Sequence, residues 1–312
     1  MSGGTDGQYF NLGVPDELRR NLNLKKIFFY WDPAHRIMLA EKDIRTAKVG
    51  NTKNDQFPFL TKLFDTIKLF LNDANYGKKY EHLIEVSEKY EGEKFYKLHS
   101  ISTTRFAAYI HLVLLAFLND IKFIVESLNE RSNNDDEDAK ILLRRICNID
   151  FLTLLVGMID VYNVVAKVCG YVQKVNLFIW ERHRMIKKSI STMKAMVQDL
   201  HTETQTKSLW PKLHTYWPLI EHNQLIKNVP VAQTDQGRYS LRSWLNSSDQ
   251  TDTNTPFTKT RRQIQEVLET FQTTLSSRLL TQEDEDLCTH TSRLIDIRQY
   301  EILASSLGPE PF

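Results

Sequence analysis

Residues 31–40 read Trp31-Asp32-Pro33-Ala34-His35-Arg36-Ile37-Met38-Leu39-Ala40 and directly follow the short apolar run 27–30. The apolar run is typical of a β-strand. Pro33 suits the first turn of an α-helix, which the apolar spacing predicts over residues 36–48. The sequence therefore predicts a strand that leads into a helix, with Asp32 at the natural N-cap position and His35 in the first turn.

Two further short motifs lie on either side, namely Thr5-Asp6-Gly7 and Thr104-Arg105-Phe106. After Thr104 the chain changes character, because long apolar-periodic stretches follow with few Gly or Pro residues. We therefore predict a mainly α fold, in which a small α/β piece (residues 1–110) joins an all-helical piece (residues 105–307). Residues 230–256, rich in Ser, Thr, Asp and Asn, are predicted to form a mobile loop.

The helical pattern can be divided further. It predicts an amphipathic helix from residue 57 to about 87, interrupted near 75–77, and a weak second strand at 95–99. The other expected elements are a helix at 105–128, a polar loop at 129–138, long helices over 139–200 with breaks near 147–150 and 170, a short helix within 209–226, and final helices at 257–280 and 283–307.

The composition limits the class of protein. The 312 residues are 41% hydrophobic and 25% charged with a formal net charge of +1, which is typical of a folded protein without a global basic field. Any nucleic-acid contact must therefore come from local basic patches. The 3 cysteines are far apart, which argues against a disulfide framework or a cysteine zinc site and favours a reducing compartment.

No membrane partner is expected. The first residues lack the basic and apolar regions of a signal peptide. The apolar stretch 107–118 is too short to span a bilayer, and the stretch 151–172 carries Asp160 and Lys167, so both are interpreted as buried helices.

The motifs at Asp6, at residues 32–35 and at residues 104–106 together resemble the transposase core of the hAT superfamily. That family has an Asp near a strand end, then a (Cys or Asp)-x-x-His motif, then Thr-Arg-Trp where a helical insertion begins. Here Asp32-Pro33-Ala34-His35 matches the second motif, and Thr104-Arg105-Phe106 matches the third with Phe in place of Trp. The resemblance implies a partial ribonuclease H-like core followed by a helical insertion.

The resemblance also implies a chemistry. In this family carboxylates hold two Mg²⁺ ions for phosphodiester cleavage and strand transfer, and three such carboxylates are needed. Asp6 matches one catalytic, metal-binding position, the first lies upstream in the family, and no motif marks the third. We therefore expect a catalytically inactive transposase fragment or domesticated relic, with Mg²⁺ as cofactor only if activity remains.

Several residues are candidates for nucleic-acid binding. By resemblance these are His35, Arg105 as a phosphate contact, and Phe106 as a stacking partner for a flipped base. The most basic helical segment adds Arg182, Arg184, Lys187 and Lys188. Each has a plain structural alternative: a helix-start hydrogen bond, a salt bridge, core packing and a solvated helix face, respectively.

Three functional hypotheses stay open. A transposase relic predicts that Asp6, Asp32 and His35 cluster at one edge of a small sheet, and it implies DNA as partner and a nuclear location, with the cytoplasm as alternative. Another hypothesis keeps only nucleic-acid binding, without catalysis, through Arg105, the basic run at residues 182–188 and the long loop at 230–256. A helical protein–protein interaction module predicts instead that Asp6, Asp32 and His35 are dispersed or buried in capping roles, and that an apolar groove on the helices is exposed. Missing strands would leave an open sheet edge, so self-association is also expected.

Overall fold

The protein is mainly α-helical, as the sequence predicts. The computed structural model describes residues 2–5, 17, 20–21, 28–74, 77–90, 92–98, 107–174, 178–200, 206–226 and 256–295. In chain order the elements are β1 (Ser2–Thr5), β2 (Phe28–Trp31), α1 (Pro33–Thr46), α2 (Pro58–Ala74), α3 (Lys78–Glu88), α4 (Ala107–Asn119), α5 (Ile121–Asn133), α6 (Glu137–Ile146), α7 (Ile149–Val172), α8 (Ile179–Leu200), α9 (Pro211–Glu221), α10 (Pro256–Leu279) and α11 (Gln282–Ile295).

The two strands form a parallel pair. Ser2 lies opposite Phe28, and Thr5 lies opposite Trp31 at the other end of the pair. Because parallel neighbours end at the same sheet edge, the residues that precede Asp6 and Asp32 lie side by side. Two strands of four residues are far fewer than a ribonuclease H-like sheet requires, so the described residues do not support that part of the predicted fold.

Helix α7 is the centre of the molecule. It contacts α4, α9, α8, α10 and α1. Gly157 permits the close approach of α10, since a Cβ there would lie 2.3 Å from Ile264 Cδ1. By length and composition α7 alone, or α7 and the pair α4–α5 bent by 60°, could cross a membrane, but 78% of the most apolar window of α7 is buried inside the protein.

One hydrophobic core joins the two predicted pieces. It includes Ile37 of α1, Phe70 of α2, Leu155 of α7 and Phe271 of α10. Helix α1 packs directly against α10 and α7. The domain boundary near residues 105–110 stays a prediction, as does the loop at 230–256, which lies outside the described residues apart from its last residue.

Several element predictions were wrong in detail, for reasons of tertiary contact. The helix expected at 105–128 is two helices that meet at Asp120. This buried carboxylate accepts the backbone N–H of Tyr96 at 3.0 and 3.2 Å, and residues 93–98 accordingly form no strand. Helix α5 continues to Asn133, into the expected loop. The break expected near residue 170 is present, since α7 ends at Val172 and α8 begins at Ile179.

Candidate nucleic-acid interface

Exposed basic side chains form a stripe along α8. Arg184, Lys187, Lys188 and Lys194 are all exposed. Positions three, four or seven residues apart lie on one face of an α-helix, so these four side chains point to a common side. The whole helix carries five basic side chains and two acidic ones, which leaves its surface positive.

Some of these basic side chains have partners inside the protein. Arg182 Nη2 donates to the carbonyl oxygen of Lys174 at 3.1 Å, and Lys187 Nζ lies 2.9 Å from Glu285 Oε1. Across the described ranges of the chain, no ion pair involves Arg184, Lys188 or Lys194. Three cationic groups on one helix face are therefore available to phosphates.

An aromatic pair lies at the start of the same helix. The rings of Phe178 and Trp180 are stacked, with centroids 4.4 Å apart and planes 7° from parallel. Phe178 is 54% exposed, and Trp180 is half-buried. Exposed aromatic rings beside a basic track are the combination that binds single-stranded nucleic acid, because bases stack on the rings while cations contact phosphates.

His183 adds little charge to the stripe. Burial and the neighbouring Lys187 lower the pKa of its imidazole. The ring is therefore mainly neutral at pH 7, although its Nε2 lies 3.9 Å from Glu285 Oε1. The positive potential of this face comes from the Arg and Lys side chains.

The structure describes only some of the residues assigned by resemblance. Asp32 is the N-cap of α1, where its Oδ1 accepts the N–H of Ala34 at 3.0 Å. His35 is half-buried in the first turn of α1. Asp6, Arg105 and Phe106 lie outside the described residues, and the clustering of the motif residues stays a prediction.

Mg²⁺ binding stays a prediction. In the part of the chain that the structure describes, no group of three or more His, Cys, Asp or Glu side chains is arranged to hold a metal ion. Asp6, the one carboxylate assigned to metal binding by resemblance, is not among those residues.

A Ser–His–Glu contact occurs between α3 and α5. His82 Nδ1 lies 2.9 Å from Ser127 Oγ, and His82 Nε2 lies 3.1 Å from Glu130 Oε2. Ser127 is only 2% exposed, so a substrate cannot reach its hydroxyl. Glu130 also pairs with Lys89 at 2.6 Å. We interpret the cluster as a contact that fixes the two helices together.

Sequence reasoning identified the basic run but missed two of its features. Lys194 is two helical turns beyond Lys187, and extending the helical spacing by seven residues would have found it. The exposure of Phe178 had no signal in the sequence, since aromatic residues near a helix start are usually buried.

Comparisons with known proteins found no matching family model, no matching curated protein and no matching solved structure.

Proposed function

We propose that this protein is a non-catalytic, hAT-like transposase derivative that binds nucleic acid through α8. The observation that carries the proposal is the exposed basic stripe at Arg184, Lys188 and Lys194, which lacks ion pairs among the described residues. Surface cations without ion pairs can bind the phosphates of a polyanion without breaking an existing contact. The stacked pair of Phe178 and Trp180 beside them favours a strand with accessible bases.

The ancestry part of the proposal rests on the motifs. Asp6 and Asp32 each follow directly on one strand of a parallel pair whose ends are in register, Thr5 opposite Trp31. This is compatible with a remnant of a ribonuclease H-like sheet that presents acidic residues at one edge. The resemblance assigns only Asp6 to metal binding, so the proposal includes no cleavage or strand transfer. A nuclear location and self-association belong to the same proposal.

A salt-dependent titration tests the nucleic-acid part. Purified full chain is titrated with single- and double-stranded DNA, with and without Mg²⁺, at several NaCl concentrations. Each phosphate contact contributes about 0.7 to 0.9 to the slope of log K against log salt. The triple variant Arg184→Gln, Lys188→Gln, Lys194→Gln is therefore expected to lower that slope by about two to three and to weaken binding at low salt.

A matched control removes the same charge elsewhere. Lys53, Lys78 and Lys97 are exposed lysines on other parts of the surface, and the triple Lys→Gln variant at these positions should bind nearly as the wild type does. Equal losses in both triple variants would mean that binding is non-specific attraction. A His35→Ala, Arg105→Ala variant tests the contacts that the resemblance assigns.

The alternative is a helical protein–protein interaction module. The capping role of Asp32 supports it, because that role needs no nucleic acid. Its expected apolar groove has less support: the large exposed hydrophobic side chains of the described residues lie on different elements, for example Leu69 on α2, Leu112 on α4 and Ile141 on α6. A failure of DNA to bind at moderate salt would favour the interaction module.

A further inference from the structure

A second basic site lies on other elements, in an open cavity of about 390 Å³. The cavity is formed by α2, the end of α6, the start of α7 and the start of α10. Its volume falls within the roughly 300–1,000 Å³ of small-molecule pockets. None of its lining residues belongs to α8, so it is separate from the stripe described above.

Three cationic side chains from three helices line this cavity: Lys62, Arg145 and Lys259. Asp150 is the single acidic group among the described lining residues, and its Oδ2 pairs with Lys259 Nζ at 3.0 Å. The lining therefore carries two more positive charges than negative ones. In the described part of the chain no ion pair involves Arg145.

The electrostatic environment of the cavity favours an anion. Burial lowers the pKa of Lys62, and the charges of Arg145 and Lys259 lower it further, while Asp150 opposes them. The cavity also includes the start of α7, a helix of 24 residues whose N-terminal end adds positive potential. An anion placed here would relieve the repulsion between the cations.

The rest of the cavity lining includes aromatic rings and a hydroxyl group that lacks a hydrogen-bond partner among the described residues. Phe59 and Phe151 supply aromatic surface. Thr66 lines the cavity at 1% exposure, and its hydroxyl has no hydrogen-bond partner among the described residues. A bare inorganic ion would contact only the cationic side chains. A phosphate ester with a planar ring would contact both the cations and the aromatic surface.

We infer that this cavity binds a small phosphate ester, with its phosphate held by Arg145, Lys62 and Lys259 and its apolar part against Phe59 and Phe151. Arg145 is suited to the phosphate because a guanidinium donates two parallel hydrogen bonds to phosphate oxygens. Two kinds of ligand carry such an ester, namely a free mononucleotide and a nucleic-acid strand with a terminal phosphate. The inference does not depend on the proposed role of α8.

Calorimetric titration of the full chain with AMP, and with adenosine as the ligand without phosphate, tests this at constant ionic strength. AMP should bind at least tenfold more tightly than adenosine. Loss of one charged hydrogen-bond donor in Arg145→Gln should weaken AMP binding by about tenfold or more. Arg144→Gln removes the same charge from the exposed neighbouring position and should stay within about twofold of wild type.

The inference is overturned if AMP does not bind at millimolar concentration, if adenosine binds as well, or if Arg145→Gln behaves as Arg144→Gln does. Competition then identifies the source of the ester. A 5′-phosphorylated dT10 that displaces AMP, where unphosphorylated dT10 does not, indicates a strand end, and no displacement by either indicates a free mononucleotide. The α8 triple variant should bind AMP normally, which separates this test from that of the proposed function.

Discussion

Asp160 of α7 holds the start of α9 through three hydrogen bonds. Its Oδ1 and Oδ2 each accept the N–H of Lys212 at 3.0 Å, and Oδ2 accepts the N–H of Leu213 at 2.9 Å. The residue is 1% exposed. A buried carboxylate at a helix N-terminus is subject to two opposed effects, because burial favours the neutral acid and the N–H groups favour the anion.

Burial has the larger effect. It raises the pKa of Asp160 from 3.8 to about 7, against the hydrogen bonds from Leu213 and Lys212 and the charges of Lys212 and Lys167. An acid whose pKa is raised on folding binds more protons in the folded state, so stability falls as the pH rises from about 4 to about 7. The loss of stability is absent below the pKa of Asp160 in the unfolded chain and is complete above its pKa in the folded protein.

The magnitude follows from the two pKa values. A shift from 3.8 to about 7 corresponds to about 4 kcal/mol once the pH exceeds both values. Between pH 5 and pH 8 the change is roughly 3 kcal/mol. Asp160→Asn keeps one oxygen acceptor and does not ionise, so its free energy of unfolding relative to wild type should rise by roughly that amount over the same interval.

Urea unfolding of both proteins at pH 5 and pH 8, followed by far-UV circular dichroism, measures this difference. Asp65→Asn removes a carboxyl that is 57% exposed and serves as the control, for which we expect no comparable change. If the hydrogen bonds outweighed burial, the wild type would instead gain stability relative to Asp160→Asn as the pH rises. That result would refute the reasoning.

Two further changes test individual hydrogen bonds, again by urea unfolding. Asp32→Ala removes the side chain that caps α1 at Ala34 and should cost about 1 kcal/mol, whereas Asp32→Asn should cost far less; equal losses would exclude the cap as the cause. Thr153→Val should stabilise the protein by about 1 kcal/mol, since this hydroxyl, 0% exposed, has no hydrogen-bond partner among the described residues. The Thr192 hydroxyl donates to the backbone carbonyl oxygen of Lys188 at 3.0 Å, so Thr192→Val should give no gain, and an equal gain there would contradict the explanation.

Predictions from the sequence succeeded where the cause is local. Asp32 and Pro33 indicate the start of α1 because capping involves residues two or three positions apart. Apolar spacing predicts α2 and α10, whose buried residues recur every three or four positions. The break between α6 and α7 was predicted near 147–150, where the side chain of Asn148 accepts the N–H of Asp150 at 2.9 Å.

The site residues were harder to predict. The basic run on α8 was visible in the sequence. Which of its side chains have partners depends on Glu285, about a hundred positions away, and on the carbonyl of Lys174. The cavity was not predicted at all. Lys62, Arg145 and Lys259 have no common pattern in the sequence, and only the packing of α2, α6, α7 and α10 brings them together.

The sequence by itself determined that the chain is mainly helical and where most helices begin and end, because propensity, capping and apolar periodicity act within one or two turns. The tertiary structure decided what the buried polar groups do. Asp160 lies within an apolar stretch of the sequence and Asp120 follows another, yet Asp160 caps α9 and Asp120, between α4 and α5, accepts the N–H of Tyr96. Their partners lie 53 and 24 positions away, so the contacts exist only once the helices have packed.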